Sequence, residues 1–202
     1  VVRRLSTLAS TYRKAAGANA RLMVHDADHG RQMISLAARF GRGLPENVIP
    51  FETDALSGFG HAEMLAALAV GFEHVDILLS PKAERDVITG QADLARAVAG
   101  EASVALLDPA DPDALCDLLF GPAPKAVTCE PVLPQGTRRQ VARLAANALR
   151  PEADVIALPE NAPYGAVLVD TDACTLCLSC VSLCPSGALG DNPDMPQLRF
   201  QE

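Results

Sequence analysis

The chain has 202 residues, enough for one ordinary domain or for a medium domain with a small one beside it. Hydrophobic residues make up 49% of it and Trp is absent, so a core can form and has to be largely aliphatic. The formal net charge of −8 argues against a nucleic-acid partner, which would need a basic face, and no run approaches the ~20 apolar residues of a membrane span.

Val1, Leu5, Leu8 and Tyr12 share one helical stripe, with Gly17 and Asn19 as stop signals. Arg3-Arg4 could open a twin-arginine leader, but Ser6 to Ala20 contains no apolar h-region, and a cytoplasmic location is expected. Arg21 to His25 reads as a strand, and Asp26 and Asp28 are placed to cap a helix running to about Phe40, where Gly41 and Gly43 end it. The alternation repeats with a strand at Asn47–Phe51, a small-residue helix at Gly60–Val70 and a strand at His74–Leu79. A longer helix from about Lys82 to Ala99 and a strand at Ser103–Leu107 follow. Asp111-Pro112 then supplies an N-cap and a first-turn proline for a helix ending near Phe120. Short strands alternating with helices predict an open, mainly parallel α/β sheet with flanking helices over residues 1–121.

Residues 122–163 read as a connector, rich in Pro and small residues at its start. Its one helix opens on the capping box Thr137-Arg138-Arg139-Gln140 and runs to about Leu149. Asp154–Leu158 is a short extended run, Pro159–Gly165 a turn, and Ala166–Asp170 a strand leading into the cysteines. Residues 164–202 are predicted to form a small α+β domain.

Six cysteines are too few for a secreted disulfide framework, and four of them fall within the eleven residues 174–184, which favours metal ligation in a reducing compartment. Cys174, Cys177, Cys180 and Cys184-Pro185 reproduce the spacing C-x2-C-x2-C-x3-C-P of a [4Fe–4S] binding run. Two-residue steps let thiolates reach iron corners a few ångströms apart and aim backbone N–H groups at the sulfurs. Leu176, Leu178, Val181 and Leu183 would shield a cluster from water. Structural zinc prefers two C-x2-C pairs separated by a longer span, and radical S-adenosylmethionine chemistry uses a wider first step. Pro185 suits the first position of a short helix, Ser186–Leu189.

On these residues the chain resembles the bacterial-type ferredoxin family. Val167-Leu168-Val169-Asp170 is similar to its first strand, Ser186-Gly187-Ala188-Leu189 to its short helix, and Gln197–Phe200 to its second strand. Leu178 and Ser179 stand where many members carry a glycine after the second cysteine. In two-cluster members the fourth cysteine of a run ligates the other cluster. The resemblance thus implies that Cys174, Cys177 and Cys180 hold one cluster and Cys184 a second, whose partners lie beyond Glu202 in a longer protein. The other assignments left open are closure of a single cluster by Cys184, or a fourth ligand from Cys116 or Cys129; the default for those two is an inert thiol.

Weaker candidates lie upstream. His25-Asp26-Ala27-Asp28-His29 sits at a strand-to-helix turn, where α/β folds place metals or phosphates, with helix capping by Asp28 as the simpler reading. Gly58-Phe59-Gly60 has the look of a phosphate turn but lacks the third glycine and the Lys-Ser/Thr ending of a P-loop, which favours a plain tight turn. Arg138, Arg139 and Arg143 share a helix and either meet an acidic partner or form a solvated face. Ala66–Leu79, with the order of elements around it, resembles the small (delta) subunit of methyl-viologen-reducing hydrogenase, which implies an α/β fold in an electron-transfer setting.

No nucleophile–base–orienter pattern occurs, so an electron-transfer module or subunit is expected rather than a self-contained catalyst. The alternative is an oxidoreductase whose α/β domain binds a nucleotide or flavin and exchanges electrons with the cluster. The expected partner is a redox protein, steered by the chain's negative charge; oligomeric state is not legible.

Overall fold

The apolar runs around Leu22, Val24, Val75 and Ile77 are strand-length and bounded by turn residues. In the structure, a computed structural model describing residues 1–122, 124–165 and 167–200, they form two adjacent parallel strands at the centre of a sheet. These are β1 (Arg21–Asp26) and β3 (His74–Leu78), in the register Leu22↔Val75 and Val24↔Ile77. β2 (Val48–Thr53) pairs with the outer edge of β1 and β4 (Val104–Leu107) with that of β3, giving the parallel order β2-β1-β3-β4.

A strand buried on both faces needs apolar residues at odd and even positions alike. Leu22 and Val24 point into one core and Met23 into another, as Val75 and Ile77 do against Leu78. The larger core is closed by α1 (Val2–Lys14), α3 (His61–Ala69), α4 (Arg85–Ala99) and α6 (Arg138–Leu149); the smaller by α2 (His29–Phe40) and α5 (Pro112–Leu119). The result is an α/β sandwich of three layers. The central helix α3 is buried from Met64 to Ala69, because α1, α4 and α6 all pack against it. Small residues permit this close packing, and Ala145 of α6 is fully buried.

Local chemistry sets the helix ends. Asp111 Oδ1 accepts from the Ala114 amide at 2.8 Å with Pro112 in the first turn. Thr137 Oγ1 accepts from Gln140 N at 3.3 Å while Gln140 Oε1 accepts from Thr137 N at 2.8 Å, completing the expected capping box. At α2, of the two expected caps Asp26 and Asp28, the first is observed and the second is not. Asp28 is the N-cap residue but makes no capping hydrogen bond, since its backbone (φ −100, ψ −87) lacks the extended geometry a cap requires. Asp26 does the work instead, its Oδ1 accepting from Gly30 N at 2.7 Å.

The chain divides into two compact units, Val1–Asn161, which contains everything above, and Ala162–Glu202. The second holds α7 (Ser179–Leu183) and an antiparallel hairpin of β5 (Leu189–Asp191) and β6 (Leu198–Phe200), in which Leu189 faces Phe200. Two expectations change here. Among the described residues, 167–170 pair with no strand, and Ala166, the start of the expected strand, lies outside them. The short helix falls at Ser179–Leu183, before Pro185 and not after it. Proline disfavours helical backbone in the residue that precedes it, and Cys184 is accordingly extended (φ −71, ψ 108). The helix therefore ends at Leu183.

Candidate metal centre

The cysteine loop opens on Asp170. Its Oδ1 accepts from the amides of Asp172 and Ala173, both at 3.1 Å, and its carbonyl accepts from Cys174 N at 2.9 Å. Such an Asx turn reverses the chain ahead of the first thiol. Leu176 and Leu178, on either side of Cys177, are both left-handed, at φ +54 and +59. A γ-branched residue is strained there. The Leu178 carbonyl then accepts from Val181 N and Ser182 N, both at 3.1 Å, and starts α7, which carries Cys180.

Cys177 and Cys180 are exposed, Cys174 and Cys184 partly so. The Ser179 hydroxyl, together with the Ser179 amide, lowers the Cys177 thiol below its ordinary value. The Ser186 hydroxyl and then the Leu189 amide bring Cys184 down to about 7. Two of the four sulfurs are thus biased toward the thiolate that binds metal, so the donor set suits iron. The thiols share a loop but not a closed pocket: among the described residues, no three His, Cys, Asp or Glu side chains are grouped to hold a metal ion.

The other two cysteines lie in the first unit. Cys116 is buried, its thiol donating to the Gly43 carbonyl at 3.6 Å. Cys129 donates to the Leu68 carbonyl at 3.7 Å, and burial pushes its thiol up, away from the ligating form.

The upstream candidates resolve into local structure. The order β2-β1-β3-β4 puts the sheet's switch point between the carboxyl ends of β1 and β3, where open α/β sheets bind ligands. Of the segment His25–His29, His25 is buried with Nδ1 2.8 Å from the Asp26 carbonyl. Asp26 occupies the Gly30 amide that an anion would use. At Gly58-Phe59-Gly60 the Gly60 amide donates to Glu63 Oε2 at 3.0 Å, so a carboxylate again stands where a phosphate would. Arg138 spans from α6 to Glu63 Oε2 at 2.7 Å, an ion pair within the unit. Sequence reading missed the buried group Arg21, His74 and Asp76; the available signal was an aspartate in the middle of an otherwise apolar strand.

Comparison with known families adds one positive finding. Residues 167–190 match the model of the 4Fe-4S binding domain, and this stretch contains all four clustered cysteines. The chain therefore carries a 4Fe–4S binding domain of the ferredoxin type, its cofactor is a [4Fe–4S] cluster, and its role is iron–sulfur electron transfer. No curated protein and no solved structure matches the chain, so the hydrogenase-subunit resemblance of Ala66–Leu79 gains no support from those comparisons. Among the described residues no helix is long and apolar enough to cross a membrane.

Proposed function

We propose that Cys174, Cys177, Cys180 and Cys184 are the cluster's thiolate ligands, and that the chain relays single electrons within a redox complex in the cytoplasm. The observation that carries this reading is the placement of all four thiols inside the matched stretch, at a spacing suited to a cluster and to no common zinc site. Bound there, a [4Fe–4S] cluster supplies a one-electron couple. The chain's own residues hold and tune it: the hydroxyl and amide of Ser179 favour the Cys177 thiolate, and the Ser186 hydroxyl and Leu189 amide favour that of Cys184.

On the same reading residues 162–202 form the cluster domain, and residues 1–161, whose larger core α6 helps to close, form the α/β domain that positions a partner. A net charge of −8 favours a redox partner with a basic docking face, most strongly at low salt. The test is anaerobic purification followed by iron and acid-labile sulfide analysis. Equal iron and sulfide supports the assignment; zinc without sulfide overturns it.

A further inference from the structure

Three of the four cysteines are followed two positions later by a serine: Cys177 by Ser179, Cys180 by Ser182 and Cys184 by Ser186. The spacing is the same and the outcome is not. Cys177 Sγ lies 3.4 Å from Ser179 Oγ and Cys184 Sγ lies 3.5 Å from Ser186 Oγ. Ser182 Oγ turns instead along α7 and donates to the Leu178 carbonyl at 3.3 Å.

The backbone accounts for the difference. Leu178, left-handed at φ +59, folds Ser179 back toward the sulfur before it. Around Ser186, Gly187 at φ +66 closes a turn in which its amide donates to the Cys184 carbonyl at 3.3 Å. Ser182 follows Val181 inside α7, where a serine ordinarily bonds the carbonyl four residues back.

A hydroxyl has one proton and two lone pairs, so the same oxygen accepts from a thiol and donates to a thiolate. Once the sulfur carries no proton, the contact persists only with Ser O–H as donor. Hydrogen bonds to ligand sulfurs favour the more negative, reduced state of a cluster and raise its potential.

We propose that Ser179 and Ser186 are tuning residues that hold the cluster potential up through O–H···S bonds to Cys177 and Cys184, and that Ser182 is not. This rests on the assignment of those cysteines as ligands. The experiment is a potentiometric titration of the cluster-loaded full chain as wild type and as Ser179→Ala, Ser186→Ala, Ser182→Ala and Ser179→Thr. The first two variants are expected to shift the midpoint to more negative values and their double variant further. Ser182→Ala should titrate with wild type, and Ser179→Thr, which keeps the hydroxyl, should return toward it. Unchanged midpoints in loaded Ser179→Ala and Ser186→Ala overturn the inference, as does an equal shift in Ser182→Ala. If Ser179→Ala does not load, Ser186→Ala and Ser179→Thr decide the matter on the same terms. Failure of the underlying assignment looks different, because wild type itself then holds no iron.

Discussion

The Asp26 carboxylate and the Gly30 amide, 2.7 Å apart, close the first turn of α2 with a side chain from the end of the preceding strand. This is the sheet's switch point, and the chain's own anion sits on the amide that a bound phosphate would need. Asp26→Ala should lower unfolding stability by about 0.5–2 kcal/mol, the usual loss for a helix cap, measured by urea titration. Wild type should show no rise in melting temperature with pyrophosphate or flavin mononucleotide. A clear rise would bring back the reading of the α/β domain as a nucleotide or flavin site.

Arg21 of β1 donates through Nε and Nη2 to the two carboxylate oxygens of Asp76 on β3, in a site where Asp76 is fully buried. His74 Nε2 lies 3.2 Å from the same carboxylate, and its Nδ1 lies 2.7 Å from the Ala102 carbonyl. Removing one member strands a charge without water. Asp76→Ala is therefore expected to cost about 3–5 kcal/mol, whereas replacing Arg21 and Asp76 together by apolar residues should cost much less. Denaturant melts of the two variants separate these outcomes.

The Cys184 thiol, lowered to about 7 by the Ser186 hydroxyl and neighbouring amides, should be half in its reactive form near neutrality. Cys129 is shifted the other way by burial. In the metal-free full chain, alkylation of Cys184 should reach half its maximal rate near pH 7, and that of Cys129 only at higher pH. Peptide mass mapping after iodoacetamide pulses reads both. Coincident profiles would contradict the proposed influence of Ser186.

None of the described residues of the second unit is buried, and Leu168, Leu183 and Phe200 are 92%, 80% and 55% exposed. So small a unit gains its folding energy from a metal or a partner and not from an apolar core. Iron chelation under air should make residues 162–202 the first target of limited proteolysis and leave the first unit intact. Equal protection of the unit with and without cluster would count against this.

How far the sequence reveals these features depends on how local the determinant is. The four strands of the first unit, the Asp111 cap and the Thr137–Gln140 capping box depend on nearest neighbours and appear in the structure within a residue or two of their expected places. The cap of α2 went to Asp26 rather than Asp28 because the backbone angles at Asp28, invisible in the sequence, preclude capping. No helix follows Pro185, where Gly187 at φ +66 closes a turn instead, and the helix that does form, Ser179–Leu183, stops ahead of the extended residue that precedes the proline. The Arg21–Asp76 pair joins residues 55 apart and depends on strand order, which no local pattern contains. The cysteine run is legible because its spacing is itself the determinant, whereas the serine contacts to Cys177 and Cys184 emerge only from the backbone turns around them.

The most direct test of the account is low-temperature electron paramagnetic resonance of the anaerobically purified chain before and after dithionite reduction, alongside the four single Cys→Ser variants. The account predicts a signal that appears on reduction, characteristic of a [4Fe–4S] cluster, scales with bound iron, and is lost or altered in Cys174→Ser, Cys177→Ser, Cys180→Ser and Cys184→Ser. Wild type that binds iron and sulfide but shows no reducible centre would contradict electron transfer. An unchanged signal in all four variants would contradict the ligand assignment.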